Sequence, residues 1–437
     1  ALRIVKPPSV PRPGARTDAP RILCAMFSRR LKWPFPSNRL SRVLDDKRAR
    51  GADILDLTES NPTRVGLRYP AKAIGAALQG AGAPVYEPAA RGLERARAAV
   101  AEWHARHERP VAPDRVLLTA STSEAYAFLF KLLADPGDLI LVPRPSYPLF
   151  DYLAPLEGVR AAAYPLTYDD RWSIDLQALE RACAAASPPT AIVVVNPNNP
   201  TGSAVRESER ARLEEIAARA GAAIISDEVF FEYLDAPGGG GDAPGFGGRA
   251  VSLLTHDAAS AGPVPSVDSG ALKFVLGGLS KSCGLPQLKL AWLIADGPDD
   301  RVDEAMERLD LVADTYLSVG TPVQRAAGSL LAIGEEIRAA IRRRLDANLE
   351  TLRPAVGAAS SCRVLKRDGG WSAILQVPAV LPEEEMVLDL LAQDDVLVHP
   401  GYFFDFPREA FLVLSLLPDP ATFEEALRRI LDRVDRR

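Results

Sequence analysis

From Arg115 to about Asp296 the chain alternates short apolar runs with amphipathic stretches, and this alternation constrains the fold more than any other feature. Short apolar runs bounded by turn formers read as buried strands. Strands separated by helix-length stretches need crossover connections, which implies an α/β architecture with a mostly parallel sheet flanked by helices. The expected strands are Val116–Thr119, Leu139–Val142, Arg160–Tyr164, Ala191–Val195, Ala222–Ser226, Lys273–Leu276 and Leu290–Ala295. Helices are expected near Ser123–Ala134, Ile174–Ala186 and Glu207–Ala220. In such sheets ligands bind outside the carboxyl ends of the strands, so the polar turns that follow the strands are the places to search for chemistry.

Around this core the remaining segments fall into order. Residues 1–27 are proline-rich and basic without hydrophobic periodicity and are expected to be a disordered extension, with Met26 a candidate start. A helix from Asn38 to Gly51 and a short strand Ile54–Leu57 follow, the strand running into the polar turn Thr58-Glu59-Ser60-Asn61-Pro62-Thr63. Residues 235–270, rich in Gly, Pro, Ser and Asp, read as a surface loop. After Pro298 a helical region from Arg301 to Leu352 breaks at Gly320-Thr321-Pro322. Short strands Arg363–Leu365, Trp371–Gln376, Val396–His399 and Phe411–Leu416 then mix with helices near Glu384–Ala392 and Ala421–Val434, the pattern of a smaller α+β domain.

Composition removes several classes of function. A net charge of −5 over 437 residues provides no broad basic field for nucleic acid. The apolar runs fall far short of the ~20 residues that span a bilayer, so no membrane partner is expected. Cys24, Cys183, Cys283 and Cys362 are far apart and show no metal-binding spacing, which suits a reducing, cytoplasmic setting. His104 and His107 sit one helical turn apart with no third ligand nearby and read as solvated helix residues, so no metal is expected.

Four turns after strands carry chemical potential. Lys281 follows a Gly-Gly pair, Gly277-Gly278, in a compact stretch with Gly284. A lysine amine in a partly dry pocket has a lowered pKa and can attack a carbonyl to form a Schiff base. Asn196-Pro197-Asn198-Asn199-Pro200-Thr201-Gly202 is a rigid turn that leaves Asn199 able to donate a hydrogen bond. Asp227-Glu228-Val229 places a carboxylate at the end of a strand. Ser121-Thr122-Ser123 opens a helix, where backbone amides suit a phosphate and where Ser121 with Glu124 also forms a capping box.

In this order and at these spacings, the segments NPNNPTG, SDEV and SK followed by GLPQLKLAW resemble the class I/II aminotransferases, fold-type I enzymes that use pyridoxal 5'-phosphate. The resemblance runs from about Leu55 to Arg428. It implies 28–70 packing with the small domain, a large cofactor domain at 71–320 and a small domain at 321–437. It implies further that Lys281 holds the cofactor covalently and moves the α-carbon proton, that Asp227 pairs with the ring nitrogen, and that Asn199 bonds the ring 3-oxygen. Tyr147, in Pro145-Ser146-Tyr147-Pro148, would stack on the ring, and Ser121, Thr122 and Ser123 would cradle the phosphate. Tyr86 would reach the phosphate of the other subunit of a homodimer. The activity implied is transfer of an amino group between an amino acid or related amine and a 2-oxo acid, both small molecules.

Departures from the family pattern are as informative as the matches. Lys289 stands where the family has a phosphate-binding arginine, Phe230 where it has a tyrosine donating to the 3-oxygen, and Gly278 where it has a serine. Val413, in Phe411-Leu412-Val413-Leu414-Ser415, occupies the place of the arginine that clamps the substrate α-carboxylate. Arg64 and Arg68, near Asn61 in the substrate-facing turn, are the candidate replacements. A lyase or decarboxylase on the same scaffold, and a ligand-binding relative without activity, are the alternatives these departures leave open.

Overall fold

The computed structural model describes residues 28–31, 38–80, 85–235, 249–254, 270–357 and 360–436. The expected disordered extension at 1–27 and most of the expected 235–270 loop lie outside the described residues. The centre of the molecule is an eight-stranded sheet. In spatial order its strands are Val116–Thr119, Ala291–Asp296, Lys273–Gly278, Ala223–Asp227, Ala191–Val195, Leu139–Arg144, Arg160–Tyr168 and Trp172–Ile174. Five neighbouring strands, Lys273–Gly278 through Arg160–Tyr168, run parallel. Both edges turn antiparallel, at Val116–Thr119 and Ala291–Asp296 on one side and at Trp172–Ile174 on the other.

The sequence explains why this sheet is covered on both faces. Strands such as AIVVV at 191–195 are apolar at every position, and alternate residues point to opposite faces. Leu117, Ile140, Val193, Ile225, Phe274 and Leu293 pack on one side with the helices Thr122–Leu133 and Asp299–Tyr316. Leu118, Leu141, Ile192, Val194, Ile224 and Val275 pack on the other, under Glu94–Arg106 and Glu207–Ala220. Arg160–Tyr168 continues past its expected end because a hairpin with Trp172–Ile174 extends it, which takes Ile174 out of the helix expected there; that helix is Leu176–Cys183.

A second sheet, antiparallel and four-stranded, has the order Arg363–Val364, Ser372–Gln376, Phe411–Ser415, His399–Pro400. Beside it Leu55–Asp56 pairs in parallel with Val396–Leu397. The second sheet is fastened to the first near the carboxyl ends of the parallel strands. Gly202 O accepts from Asp368 N and Gly369 N at 2.9 and 3.0 Å. The buried Arg367 fork grips Asp235. Ser146 N donates to Phe404 O (2.9 Å), and Arg144 pairs with Asp405 at 2.9 Å.

The 29-residue helix Ala327–Ala355 braces the Lys281 loop from below. Gly284 has φ +62°, and a Cβ there would also lie 2.7 Å from Ile337 Cγ2. Gly334 on the helix faces Cys283, and a Cβ there would overlap the cysteine side chain. Replacing Gly334 with alanine should therefore destabilise the protein by about 1–3 kcal/mol through overpacking. Urea denaturation measures this, and an unchanged midpoint would show that the contact yields freely.

Candidate active site

Three neighbouring parallel strands end together, and the site is built on those ends. Val195, Asp227 and Leu276 are in register across them. Asp227 closes the strand AIISD instead of following it, one residue later than the sequence boundary, because Asn196 N donates to Asp227 O (2.8 Å) and Glu228 N to Leu276 O (2.9 Å), prolonging the ladder. The Asp227 carboxylate is buried; Tyr126 Oη donates to Oδ2 (3.3 Å) and Val229 N to Oδ1 (3.2 Å). Burial raises its pKa to about 6, against the pull of those two donors and of Lys281.

Lys281 lies on a four-residue helix, Leu279–Ser282, directly after the strand Lys273–Gly278. Two tyrosines pin the backbone of its loop, Tyr233 Oη donating to Lys281 O (2.8 Å) and Tyr69 Oη to Gly284 O (2.6 Å). The amine lies 4.7 Å from the Trp371 ring centre and 5.6 Å from that of Phe230. Burial lowers its pKa to about 8, opposed by the Asp227 and Glu59 carboxylates.

The remaining sequence-derived residues sort by position. Asn199 and Tyr147 are half-buried and joined, Tyr147 N donating to Asn199 O (2.8 Å). Behind them a buried network fixes the turn: Ser146 Oγ donates to Asn198 Oδ1, and Asn198 Nδ2 to Pro145 O and Thr201 Oγ1. Ser121 caps the helix Thr122–Leu133 by accepting from Glu124 N (3.2 Å). The expected capping box is half realised, because Glu124 reaches Ala120 N at 2.7 Å and not the cap residue's own amide. The first-turn amides of Thr122 and Ser123 have no intrahelical partner. Asn61 caps the turn Pro62–Arg64 through its own side chain. Lys289 is exposed at φ 49°, and Tyr86 is 72% exposed. Arg64 and Arg68 are exposed, and neither forms an ion pair among the described residues.

Three residues at the site have no sequence motif to announce them. Tyr126 looks like one more apolar position on a core helix, Trp371 comes from the second sheet, and Glu59 acts on the lysine from the N-terminal turn. One expectation is corrected. His104 is not a solvated helix residue; it is buried and accepts from Trp292 Nε1 (3.1 Å), since the face of Glu94–Arg106 that carries it packs on the sheet. No cluster of metal ligands exists among the described residues, and no described helix is long and apolar enough to cross a membrane.

A lysine and a buried carboxylate at the carboxyl ends of adjacent parallel strands, with a helix N-terminus at a third strand, define a fold-type I pyridoxal-phosphate enzyme. The profile described as aminotransferase class I and II matches residues 52–430, and the chain belongs to that family. Glutamate-pyruvate aminotransferase AlaA of Haemophilus influenzae is 25% identical over 393 residues, 87% of this chain and 90% of that protein. S-alkyl-thiohydroximate lyase SUR1 of Arabidopsis thaliana is 30% identical over 250 residues, 56% of this chain and 49% of that protein. The solved structure of alanine aminotransferase from Pyrococcus furiosus superposes with a TM-score of 0.76 at 25% identity, covering 91% of this chain and 96% of that one. This protein is a pyridoxal-phosphate-dependent aminotransferase.

The lowered lysine pKa has a direct kinetic consequence. Only the neutral amine is nucleophilic, so capture of pyridoxal phosphate by the cofactor-free protein should accelerate with pH up to about 8 and level off above it. Stopped-flow absorbance measures the profile; a rate still climbing toward the ordinary lysine pKa would mean that the pocket does not dry the amine.

Proposed function

We propose that the protein transfers an amino group between an amino acid or related amine and a 2-oxo acid at a site centred on Lys281 and Asp227. The observation that carries this reading is the pairing of a desolvated amine and a desolvated carboxylate at the same strand ends, the carboxylate held by the Tyr126 hydroxyl and the Val229 amide and the lysine through its backbone carbonyl by the Tyr233 hydroxyl. Neither group has an ion-pair partner that would give it a purely structural purpose among the described residues. The pocket fits pyridoxal phosphate: an amine for its aldehyde, a buried acid for its ring nitrogen, and unclaimed helix amides for its phosphate. When bound, the cofactor supplies an electron sink for charge released at the donor's α-carbon.

The chain's own residues then divide the work. Lys281 Nζ would hold the cofactor and carry the proton to and from the α-carbon, and its pKa lowered to about 8 leaves a larger neutral fraction near neutrality than an ordinary lysine has. Asp227, ionised above about pH 6, would accept the ring N–H and keep it charged. Asn199 would donate to the ring 3-oxygen, where Phe230 offers only a ring and no hydroxyl. Tyr147 would stack on the cofactor, and Ser121, Thr122 and Ser123 with their amides, and Lys289, would meet the phosphate. Tyr86, with most of its surface in solvent, serves the phosphate of a second subunit in a homodimer. Asn61 lies on the substrate side. The three cysteines among the described residues are free and buried, which suits the cytoplasm.

A second reading, a lyase on the same residues, is favoured by the likeness to SUR1. Product analysis separates them. Transfer yields one oxo compound from the donor and one new amino acid from the oxo acid, in equal amounts, and a lyase yields no new amino acid. Lys281→Ala should lower the transfer rate by roughly 10²–10⁴-fold, and borohydride should fix the cofactor to Lys281 in the wild type. A mass tag elsewhere would overturn the assignment.

A further inference from the structure

We propose that the Trp371 indole N–H donates a hydrogen bond to the 3-oxygen of the bound cofactor, joining Asn199 as a second donor to that atom. This rests on the transfer reading above and concerns the electronics of the same site.

The fold, and not the local sequence, brings Trp371 to the lysine. The residue lies between the turn Gly369-Gly370 and the strand Ser372–Gln376. Gly369 bridges to Leu234, Gly370 N donates to Tyr233 O (3.0 Å), and Trp371 O accepts from Leu416 N (2.9 Å), so the backbone is tied on both sides. The ring packs edge-on against Phe230 and Tyr233, with centroids 5.3 and 5.2 Å away. Lys281 Nζ lies 4.7 Å from its centre. The indole is therefore fixed directly against the amine that captures the cofactor.

Its N–H is an exception in so dry a place. Trp371 is 4% exposed, and its Nε1 is buried with no acceptor among the described residues. Leaving a buried donor unpaired costs about 1–3 kcal/mol, and such donors nearly always have a partner. The indole nitrogens of Trp103 and Trp172 are also unpaired, but Trp103 packs with His104 and Trp292, and Trp172 with Tyr168 and Phe406. Of the three, Trp371 is the one whose ring meets the Lys281 amine among the described residues.

An indole N–H only donates, so what completes it must be an acceptor. The covalent structure of pyridoxal phosphate decides which one. The aldehyde carbon that Nζ captures is attached to the ring carbon next to the one bearing the 3-oxygen, so this oxygen lies beside Nζ once the bond has formed. It carries negative charge and is a strong acceptor. Phe230, the other ring over the amine, has no polar atom to offer it. A donor to the 3-oxygen favours the form in which the imine has lost its proton, because the oxygen then holds its charge without a neighbouring N–H to share it. Removing the donor should raise the imine pKa. The charged groups that act on Lys281, Asp227 and Glu59, remain in any Trp371 variant, as do the hydroxyls of Tyr233 and Tyr69 that hold its loop.

The test titrates the imine absorbance of the holoenzyme in the wild type, in Trp371→Phe and in a variant carrying benzothienylalanine at position 371, which keeps the bicyclic shape and has sulfur in place of the N–H. We expect the imine pKa to rise by about one pH unit in both variants. A rise in Trp371→Phe alone would trace to water entering beside a smaller ring and overturns the inference. A readout without titration accompanies it. In nitrogen-15-labelled protein the Trp371 indole resonance, identified by its loss in Trp371→Phe, should move downfield when the cofactor-free protein is loaded with pyridoxal phosphate, and an unmoved resonance counts against the bond. Unchanged imine pKa values with a raised KM for amino donors in both variants would place the N–H on the substrate, overturning this inference and leaving amino transfer standing. Absence of an imine band in the cofactor-saturated wild type overturns the transfer reading and this inference together.

Discussion

The structure depends on holding a carboxyl group and an amine in the same water-poor pocket without letting them neutralise each other by contact. Asp227 is raised toward 6 and Lys281 lowered toward 8, each chiefly by burial. Both shifts cost folding free energy at neutral pH, because each disfavours the charged form. The apolar strands that bury the two residues offset this cost, and so do the hydrogen bonds that fix their backbones. The site is thus a local destabilisation that a large core can carry. Tyr126 and the Val229 amide keep the acid from shifting further.

The second sheet supplies what the first cannot. Parallel strands end in short turns, and turns alone leave a lysine open to solvent. Here the turn at Gly369 and Gly370 is pressed onto Tyr233 and Leu234, which sets Trp371 against Lys281, Phe230 and Tyr233. Arg367 fastens that turn by bridging Asp235 and the Ser372 and Gly370 carbonyls. The dryness of the amine, and so its reactivity, is a property of how the two sheets meet.

This explains what the sequence disclosed. Lys281, Asp227, Asn199 and the helix opening at Thr122 were legible because each ends or follows an apolar strand, and the strand pattern is local. Trp371 comes from the second sheet and Glu59 acts on the lysine from the N-terminal turn, through relations that no periodicity encodes. Tyr126 was hidden for another reason. Its ring fills the core like its neighbours Phe128 and Phe130, and only the direction of its hydroxyl sets it apart. His104 was misread because one helix face cannot be told from the other until the Trp292 side of the sheet is in place.

The acid pair Asp227-Glu228 shows how one strand end serves two purposes. Side chains alternate along a strand and its immediate continuation, so Ser226 and Glu228 share a face and Asp227 has the other. Asp227 faces the lysine. Glu228 turns into the protein, where Ser226 Oγ, Ser252 Oγ and the Leu253 amide donate to it. Arg109, itself buried, lies between Glu228 and Glu232 and over the rings of Trp103 and Phe231. A buried ion cluster of this kind is poor evidence for net stability, since desolvation consumes much of the attraction. Its geometric effect is clearer. It clamps both sides of the Val229-Phe230 segment, so the amide that bonds Asp227 and the ring that faces Lys281 are fixed by charges that never touch the pocket.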